Sequence, residues 1–460
     1  MPLALAVSGP VVGQSPEAEK TVWLTPSDAH IRKILVERID TQKQGVGIVV
    51  GIIDPEGRRI VSYGALNEGD ARPLNGDTVF EIGSITKVFT ALVLADMVER
   101  GEVALDDPAS KYLPPTVKIP SRNGKQISLM DLATHYSGLP RLPGNMGSEN
   151  HANPYADYTV DQMYQFLNGY TLTRDPGEKA DYSNLGAGLL GHVLSLREAT
   201  DYESLVRQRI LAKLGMKDTA IALSSDMKAR LAMGHDATLA EVQNWDLPTL
   251  AGAGALRSTT NDLLTFLGAE LGLTHSSLKD SMARQLAVRR SMGAPGIDIA
   301  LGWIVQTDPK GTVIWHNGGT GGYRSYMGFN PATKTGVVVL SNASTQRDPD
   351  DIGRHLLIGT DLAKPPVVRT EIPLDLKSKQ AFVGQYQVRP DFIVTITLEG
   401  DQIYTQATGQ PRFPMFAESP TKLFLKVVDA QATFVMGADG KATSFILHQG
   451  GRDTPAPRIK

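Results

Sequence analysis

The stretch Phe80–Asp107, with the sequence FEIGSITKVFTALVLADMVERGEVALDD, predicts the element that the rest of the fold surrounds. Apolar side chains between residues 88 and 98 occupy every side of a helix, and a helix without a polar stripe is a buried one. Gly101 follows as the glycine that commonly ends a helix. The stretch therefore predicts a buried helix that begins near Ser84 and ends just before Gly101.

Ser84 and Lys87 lie at the start of this helix, three residues apart and therefore on one face. Burial disfavours the charged form of a lysine, so a buried lysine loses affinity for its proton and can deprotonate an adjacent hydroxyl. The positive end of the helix dipole favours negative charge on the serine oxygen. The pair fits a nucleophile and its base, but the same spacing also fits an N-cap and a lysine that reaches solvent.

The composition is typical of a soluble globular protein with one large domain and an appendage, or two domains. The 460 residues are 41% hydrophobic and 21% charged. A net charge of −3 gives no reason to expect nucleic acid or an anionic membrane as partner, and no apolar run reaches transmembrane length. The absence of cysteine excludes disulfides, a cysteine nucleophile and thiolate metal sites.

Residues 1–22 predict a leader or a disordered tail. The first 20 residues, MPLALAVSGPVVGQSPEAEK, join a short apolar piece to a polar one and lack the basic region of a secretory signal. A chain without cysteine suits an oxidising compartment. These features favour a periplasmic or secreted protein, and they do not exclude a cytoplasmic one.

Residues 23–363 carry strand signals at both ends and helical signals between about 100 and 290. Thr25 is the expected cap of a first helix that runs to about Gln42, and a hairpin over Gly45–Tyr63 follows it. Further signals predict helices at Ser128–Tyr136, 160–168, 201–214 and 350–362, and strands at 299–306, 312–316, 323–329 and 337–340. This order predicts an antiparallel sheet that joins the first hairpin to the late strands.

A linker is expected at 364–373, where Lys364-Pro365-Pro366 interrupts the pattern. Residues 374–460 then show short alternating strands at intervals of 8–12 residues. This spacing predicts a small antiparallel barrel or sandwich.

Two more polar motifs follow Ser84 and Lys87 along the chain. Tyr182-Ser183-Asn184 precedes a helix, and its first and third residues face the same side of an extended segment. His316-Asn317-Gly318 ends an apolar strand. Each motif alone fits a structural role, because a turn explains the first and a satisfied strand histidine explains the second.

In the order S-x-x-K, Y-x-N and H-x-G, the three motifs resemble those of the serine β-lactamase and penicillin-binding protein superfamily, in its class C-like branch. The resemblance covers about residues 25–360, and the stretches LDDPASKYLP, LMDLATHYSGLP, AGALRSTTNDLLTFL and WHNGGTGGYRS share it. Residues 370–460 resemble the lipocalin-like C-terminal domain of some members. The resemblance implies an α/β (α+β) domain, with an antiparallel sheet flanked by helices and a helical subdomain, followed by a small all-β barrel-like domain.

The resemblance also implies roles for the first two motifs. Ser84 is the nucleophile, and Lys87 and Tyr182 share the proton transfers. Asn184 hydrogen-bonds the substrate amide or Lys87.

The third motif flanks the cleft in this resemblance. His316, Asn317 and Gly318 are the implied substrate-binding residues, and the glycine lets the substrate backbone approach. The backbone N–H groups of Ser84 and Gly319 form the implied oxyanion hole. Histidine replaces the cationic lysine of K-T-G, and with a pKa near ~6.5 it is largely neutral at pH 7.

Other polar residues near the motifs fit structural roles. Lys334-Thr335-Gly336 carries the K-T-G letters but follows Asn330-Pro331, so a hairpin turn outside the site is expected. His135 and His192 fall in helical runs, and Arg141 fits a substrate-facing charge or a solvated loop arginine equally well. Nine scattered histidines without an H-x-x-x-H pair predict no metal site, and we expect no cofactor.

The leading hypothesis is a serine hydrolase that forms an acyl-enzyme on Ser84 and cleaves β-lactams or D-amino-acid peptides. A carboxylesterase for short acyl esters and a penicillin-binding protein that deacylates slowly remain open. The expected partner is a small-molecule or peptide substrate, and the sequence gives no oligomeric state.

Overall fold

A computed structural model describes residues 23–148, 150–365, 369–390, 392–410 and 412–460. The expected leader at 1–22 and residues 366–368 of the expected linker lie outside the described residues. Within the described ranges, no helix combines the length and the apolar character needed to cross a bilayer.

Most helices of the described residues lie between the first hairpin and the late strands, while one precedes the hairpin and two follow the late strands. They are α1 Asp28–Val36, α2 Thr86–Glu99, α3 Leu129–Ala133, α4 Val160–Gly169, α5 Asn184–Glu198, α6 Tyr202–Val206, α7 Ala212–Leu214, α8 Ser225–Ala229, α9 Ala251–Gly254, α10 Thr260–Glu270, α11 Lys279–Ala287, α12 Asp350–Ile358 and α13 Leu376–Ala381. Two π-helical turns, Glu37–Thr41 and Arg207–Leu211, extend α1 and α6, and 3₁₀ turns lie at Gly83–Ile85 and Ala109–Tyr112.

Strands of the described residues fall into a large N-terminal group and a C-terminal group. The first group comprises β1 Gly47–Asp54, β2 Gly57–Gly64, β3 Val79–Glu81, β4 Gly234–His235, β5 Glu241–Val242, β6 Arg257–Thr259, β7 Arg290–Ala294, β8 Ile297–Ile299, β9 Ile304–Asp308, β10 Gly311–Gly319, β11 Arg324–Asn330 and β12 Thr335–Ser341. The second comprises β13 Gly384–Arg389, β14 Phe392–Glu399, β15 Gln402–Ala407, β16 Arg412–Ser419, β17 Lys422–Leu425, β18 Ala430–Met436, β19 Ala442–Gln449 and β20 Arg452–Pro457.

Eight of the described N-terminal strands form an antiparallel sheet in the order β2-β1-β12-β11-β10-β9-β8-β7, while β3 pairs with β6 and β4 with β5. Strand β1 joins the early hairpin to the late strands, with Ile48 opposite Ser341. The sequence-based expectation of such a sheet, flanked by helices, is confirmed. The turn before β12 holds Lys334 at a φ of +52°, as the hairpin expectation for this K-T-G sequence requires.

Both faces of this sheet are covered, because β1 is apolar on each side. Val49 and Ile53 face the core that includes α2 and α10, while Ile48, Val50 and Ile52 face α1 and α12. Helix α2 lies inside the first core, with every residue from Thr86 to Met97 buried. Its surroundings explain the absence of a polar stripe in the sequence.

The C-terminal strands form a second antiparallel sheet, in which each strand pairs with the next along the chain. Its ends approach each other, since the Gln385 amide donates to the Lys460 carbonyl at 2.9 Å. Tyr386, Phe434 and Phe445 fill its interior. The barrel-like domain expected from the strand spacing is confirmed as a nearly closed eight-stranded sheet.

Several predicted boundaries are wrong for tertiary reasons. Ser27, and not Thr25, caps α1. Helix α3 ends at Ala133 because His135 adopts a φ of +62°. The strand expected at 299–306 is interrupted at Gly302, where a β-carbon would lie 2.8 Å from the Lys87 carbonyl oxygen on α2. The region from 100 to 290 is also not all helical, because it contributes β4, β5 and β6.

Candidate active site

Ser84 lies in the 3₁₀ turn Gly83–Ile85, between β3 and α2. The turn requires a glycine because Gly83 has a φ of +49° and a β-carbon there would lie 2.8 Å from the Gly319 nitrogen. This close approach brings the serine turn against the end of β10. Ser84 is only partly buried, so its hydroxyl can meet a ligand.

Lys87 lies one turn further on, and its ammonium nitrogen has three partners. The Nζ atom is 2.9 Å from Ser84 Oγ, 2.9 Å from Asn184 Oδ1 and 2.7 Å from the Ala253 carbonyl oxygen. The residue is only 3% exposed. The amine is therefore fixed beside the serine hydroxyl by groups from two other elements, α5 and α9.

Burial lowers the pKa of Lys87 well below its ordinary value, and the charge of Arg141 lowers it further. No carboxylate is among the groups that hydrogen-bond Nζ. The oxygens of Asn184 and Ala253 can accept both N–H groups of a neutral amine, whose lone pair then accepts from the Ser84 hydroxyl, and no anion is bonded to Nζ to keep it charged. Lys87 is thus suited to take the serine proton.

Tyr182 lies beside this pair, with its ring centroid 4.8 Å from Lys87 Nζ. Burial raises the pKa of Tyr182 to about 12, while a hydrogen bond with Ser84 and the charge of Arg141 oppose the rise. The phenol therefore carries its proton at neutral pH and can donate it. The structure brings Tyr182 to Ser84 and Lys87, where the sequence placed it.

Asn184 reaches the cluster from the first turn of α5. Ser183 caps this helix, since its Oγ accepts from the Gly186 amide at 2.8 Å and donates to the Pro140 carbonyl at 2.7 Å. The cap fixes the start of α5 so that Asn184 Oδ1 faces Lys87. Of the two roles expected for Asn184, the structure shows the bond to Lys87.

His135 is a neighbour of this cluster that the sequence analysis assigned to a helical run. Its ring centroid lies 4.4 Å from that of Tyr182, and its Nδ1 accepts from the Ser183 amide at 3.2 Å. Burial and the nearby Lys87 lower the pKa of His135 well below its usual value, so the ring is neutral. The adjacent SGLP sequence, with its glycine and proline, was the available signal that the helix ends early.

His316 faces the cluster from β10 and is 1% exposed. Its Nδ1 donates to the Asn317 carbonyl at 2.6 Å, while its Nε2 has no hydrogen-bond partner among the described residues. Burial and the proximity of Lys87 lower the pKa of His316 to about 3. The third motif therefore presents a neutral imidazole with a free lone pair, and no cation.

The other two residues of this motif pack against other parts of the protein. Asn317 lies on the opposite face of β10, where its Nδ2 donates to Asp350 Oδ2 at 2.8 Å, so its expected role in substrate binding is wrong for its side chain. The expected role of Gly318 in substrate approach stays a prediction, and the structure gives a further reason for glycine, because a β-carbon there would lie 2.0 Å from the Ile82 carbonyl oxygen. Because Gly318 has no side chain, the backbone of Ile82, just before the serine turn, can pack directly against β10.

A small cavity beside the serine is lined from several elements. Ser84, Gly319 and Asn184 contribute to its wall, together with the aromatic side chains of Tyr155 and Trp245. The two aromatic rings lie 5.3 Å apart. These aromatics come from segments without regular periodicity, so sequence reasoning missed them.

A buried ion pair supports the aromatic wall. Arg257 on β6 contacts Glu81 on β3 at 3.2 Å, and Glu81 accepts from the Trp245 amide at 2.9 Å. Burial raises the pKa of Glu81, although Arg257 opposes this. The pair links the strand that precedes the serine turn to the loop that carries Trp245.

The sequence model of the Beta-lactamase family matches residues 32–360, which include every residue of this cluster. The chain belongs to the Beta-lactamase family. A second model, of a domain of unknown function (DUF3471), matches residues 369–456.

The similar proteins include a penicillin-binding protein and a carboxypeptidase/endopeptidase. The chain is 27% identical to penicillin-binding protein 4* of Bacillus subtilis over 427 residues, which cover 87% of this chain and 92% of that protein. It is 32% identical over 311 residues to the D-alanyl-D-alanine-carboxypeptidase/endopeptidase AmpH of Escherichia coli K12, with 65% of this chain and 80% of that protein covered.

Solved structures agree on the fold. A beta-lactamase/D-alanine carboxypeptidase from Yersinia pestis superposes with a TM-score of 0.61 and 27% identity, over 69% of this chain and 92% of that one. A class C beta lactamase from Rhodobacter sphaeroides gives a TM-score of 0.59 and 26% identity, over 69% of this chain and 93% of that one. The class C-like resemblance inferred from the three motifs is confirmed.

Proposed function

We propose that this protein is a serine hydrolase that forms an acyl-enzyme on Ser84 and cleaves the amide bond of β-lactams or D-amino-acid peptides. One observation carries the proposal: the buried Nζ of Lys87 lies 2.9 Å from Ser84 Oγ, and the oxygens of Asn184 and Ala253 can accept both N–H groups of the neutral amine, which leaves its lone pair for the serine hydroxyl. A lysine held in this way acts as a base towards the hydroxyl.

Acylation begins when neutral Lys87 removes the Ser84 proton. The serine oxygen then bonds to the substrate carbonyl carbon, and the carbonyl π electrons move onto oxygen. In this proposal the backbone N–H groups of Ser84 and Gly319 stabilise that oxyanion. Their convergence is supported by the contact between the serine turn and the end of β10.

Collapse of the tetrahedral adduct breaks the carbon–nitrogen bond and requires a proton for the leaving nitrogen. Tyr182 is the donor in our proposal, because a pKa of about 12 keeps its proton available at neutral pH. Lys87, now protonated, returns a proton to Tyr182. Deacylation repeats these transfers with water as the nucleophile and restores Ser84.

The names of the relatives support the cleavage of amide bonds. AmpH is named for D-alanyl-D-alanine peptides, and a relative from Pseudomonas fluorescens, 26% identical over 340 residues, is named a beta-lactamase. The two names cover a strained cyclic amide and a linear one. We therefore propose both substrate types for the same acylation chemistry.

A second candidate, a carboxylesterase for short acyl esters, is favoured by His316. With its pKa lowered to about 3, this residue supplies no positive charge for a substrate carboxylate. A neutral ester does not need that charge. The ester hypothesis therefore uses the same Ser84, Lys87 and Tyr182 with a different leaving group.

A substrate panel tests both candidates. The kcat/KM values on nitrocefin, a D-Ala-D-Ala peptide and p-nitrophenyl butyrate would be compared, with Ser84→Ala as the blank. The proposal expects the amide substrates to be preferred and the variant to be inactive. Turnover of the butyrate ester alone would identify the protein as an esterase. An acyl-enzyme stable for hours would identify it as a slowly deacylating penicillin-binding protein.

A further inference from the structure

Arg141 occupies a defined position at the edge of the cluster. Its carbonyl oxygen accepts from the Asn184 amide at 3.0 Å and from the Leu185 amide at 3.2 Å, which are first-turn N–H groups of α5. The same helix end presents Asn184 to Lys87. The backbone of Arg141 is therefore built into the element that positions the site.

The side chain of Arg141 lies over the site and remains exposed. Its Cζ atom is 5.0 Å from the ring centroid of Tyr182. Among the residues that the structure describes, no carboxylate forms an ion pair with this guanidinium, and no hydrogen bond of its side chain is found. A planar guanidinium with unused donors is suited to bind a carboxylate in a bidentate manner.

The other basic groups of the cluster are less available to a substrate carboxylate. The pKa values of Lys87, His135 and His316 are all lowered by burial. Arg324 lies near Gly319, but its Nε is 2.7 Å from Asp348, which neutralises it. Arg141 is exposed beside the proton donor Tyr182, whereas Lys87 is buried, so a substrate carboxylate can reach the guanidinium of Arg141.

The C-terminal sheet limits the positions open to this side chain. Gly409, in the turn between β15 and β16, has a φ of +68°, and a β-carbon built on it would lie 3.9 Å from the Arg141 Cβ. The turn thus packs against the stem of Arg141 on one side. Tyr182 contacts its guanidinium end.

We propose that Arg141 is the specificity-determining residue for a free carboxylate on the leaving group of the substrate, with the turn at Gly409 supporting its stem. This proposal rests on the proposed function, in which Tyr182 protonates that leaving group. A carboxylate two or three bonds beyond the scissile nitrogen would lie beside the guanidinium. The substrate class is then a peptide that ends in a free carboxylate, rather than an internal peptide bond or a neutral ester.

The test compares a D-Ala-D-Ala peptide acid with the corresponding C-terminal amide, in the wild-type protein and in Arg141→Ala, Arg141→Lys and Arg324→Ala. Loss of a charge-assisted bidentate contact should lower kcat/KM on the acid by roughly 10- to 100-fold in Arg141→Ala. Reaction with the amide and fluorophosphonate labelling of Ser84 should fall by a smaller factor, because they register only the loss of the charge that helps to lower the pKa of Lys87. Arg141→Lys should recover part of the preference, and Arg324→Ala should retain it.

Three results would overturn the assignment. Equal losses on acid and amide would show that Arg141 acts only on Tyr182, and an unchanged acid preference would show that it binds no carboxylate. Loss of the preference in Arg324→Ala instead would transfer the role to Arg324. If Ser84 reacts with neither peptide nor with the fluorophosphonate, the proposed function falls as well, which distinguishes the two failures.

A matched pair of glycine variants tests whether the C-terminal sheet supports Arg141. Gly409→Asn adds a side chain against Arg141, whereas Gly400→Asn adds one at the other end of β15, where nothing lies within 4 Å. Both glycines have positive φ, which asparagine tolerates. Gly409→Asn should reduce the acid preference about threefold or more, with Gly400→Asn unchanged. Equal behaviour of the two variants would remove the turn from the proposal.

Discussion

At the scale of single residues, burial decides which basic groups carry charge. Lys87 and His316 are nearly inaccessible to water, and both have a pKa lowered by desolvation. The histidine that stands in the third motif is therefore a neutral hydrogen-bonding group, with its Nε2 lone pair unpartnered among the described residues. Compared with a K-T-G motif, the third motif here lacks a cation. In our proposal, Arg141 supplies the positive charge for a substrate carboxylate.

The pH dependence of acylation follows from these two groups. Lys87 acts as base only when neutral, so the rate of Ser84 acylation should fall as pH drops below its lowered pKa and level off above it. His316, with a pKa of about 3, should add no limb between about pH 5 and about pH 8. The rate of labelling by a neutral fluorophosphonate, measured from about pH 5 up to the ordinary lysine pKa of 10.5, checks both statements.

Two variants identify the source of the acid limb. Lys87→Arg keeps a permanent cation, so acylation should fall by roughly 10²- to 10⁴-fold and lose the limb. His316→Gln should keep the limb of the wild-type protein. A profile in which His316→Gln removes the limb would assign the base to histidine and contradict the role of Lys87.

The grouping of the site residues was predictable from the motifs, whereas the direction of individual side chains was predicted less well. Ser84, Lys87, Tyr182 and Asn184 were identified from their motifs, and the structure brings all four together. Asn317 follows His316 on a strand, so strand alternation alone should have placed it on the opposite face. The missed signal was available in the sequence.

At the scale of elements, the serine turn depends on a contact between two backbones. Gly83 and Gly101 both have positive φ, +49° and +70°, and flank the same helix. A β-carbon on Gly83 would meet the Gly319 nitrogen at 2.8 Å, whereas one on Gly101 would meet nothing within 4 Å. Substituting each glycine by alanine therefore distinguishes the effect of backbone strain, which both variants share, from the effect of moving β10, which only the Gly83 variant should show.

Gly83→Ala should lower the rate of Ser84 acylation by roughly tenfold or more, because it forces β10 and the expected oxyanion donors apart. Gly101→Ala carries only the left-handed penalty of about 1–2 kcal/mol and should acylate at the wild-type rate. Thermal unfolding and fluorophosphonate labelling of both variants provide the measurement. Equal acylation by Gly83→Ala and Gly101→Ala would show that this contact does not shape the site.

Element boundaries failed where distant residues set the backbone. The pattern of Ser128–Tyr136 is helical throughout, but His135 leaves the helix to accept the Ser183 and Asp181 amides, at 3.2 and 2.8 Å. Those partners lie more than 40 positions away in sequence, beyond the reach of local periodicity. The buried helix α2 was predictable because its apolar surface is a property of its own sequence.

At the scale of the whole molecule, the described residues contain separate cores for the catalytic and C-terminal domains. Phe445 is 1% exposed in the C-terminal core, with its ring centroid 4.9 Å from that of Tyr386 and 5.5 Å from that of Phe434. The domains also meet, since Gln346 Nε2 donates to the Leu425 carbonyl at 3.0 Å. Separate cores favour separate unfolding transitions.

Phe445→Ala should cost the C-terminal domain about 3–5 kcal/mol, because it opens a cavity in that core. Calorimetry should show one transition moved to lower temperature, while Ser84 still reacts with a neutral fluorophosphonate at 25 °C. Phe416→Ala, outside that core and only partly buried, is the matched control and should have a smaller effect. Loss of Ser84 labelling in Phe445→Ala would show that the catalytic domain needs the C-terminal core to fold.

The central claim is that Ser84 is the nucleophile, and mass spectrometry tests it most directly. The intact protein would be incubated with a β-lactam or a fluorophosphonate, digested, and mapped for the modified residue. The account predicts a single adduct on Ser84 that is absent from Ser84→Ala. An unmodified Ser84, or full hydrolytic activity in Ser84→Ala, would contradict it.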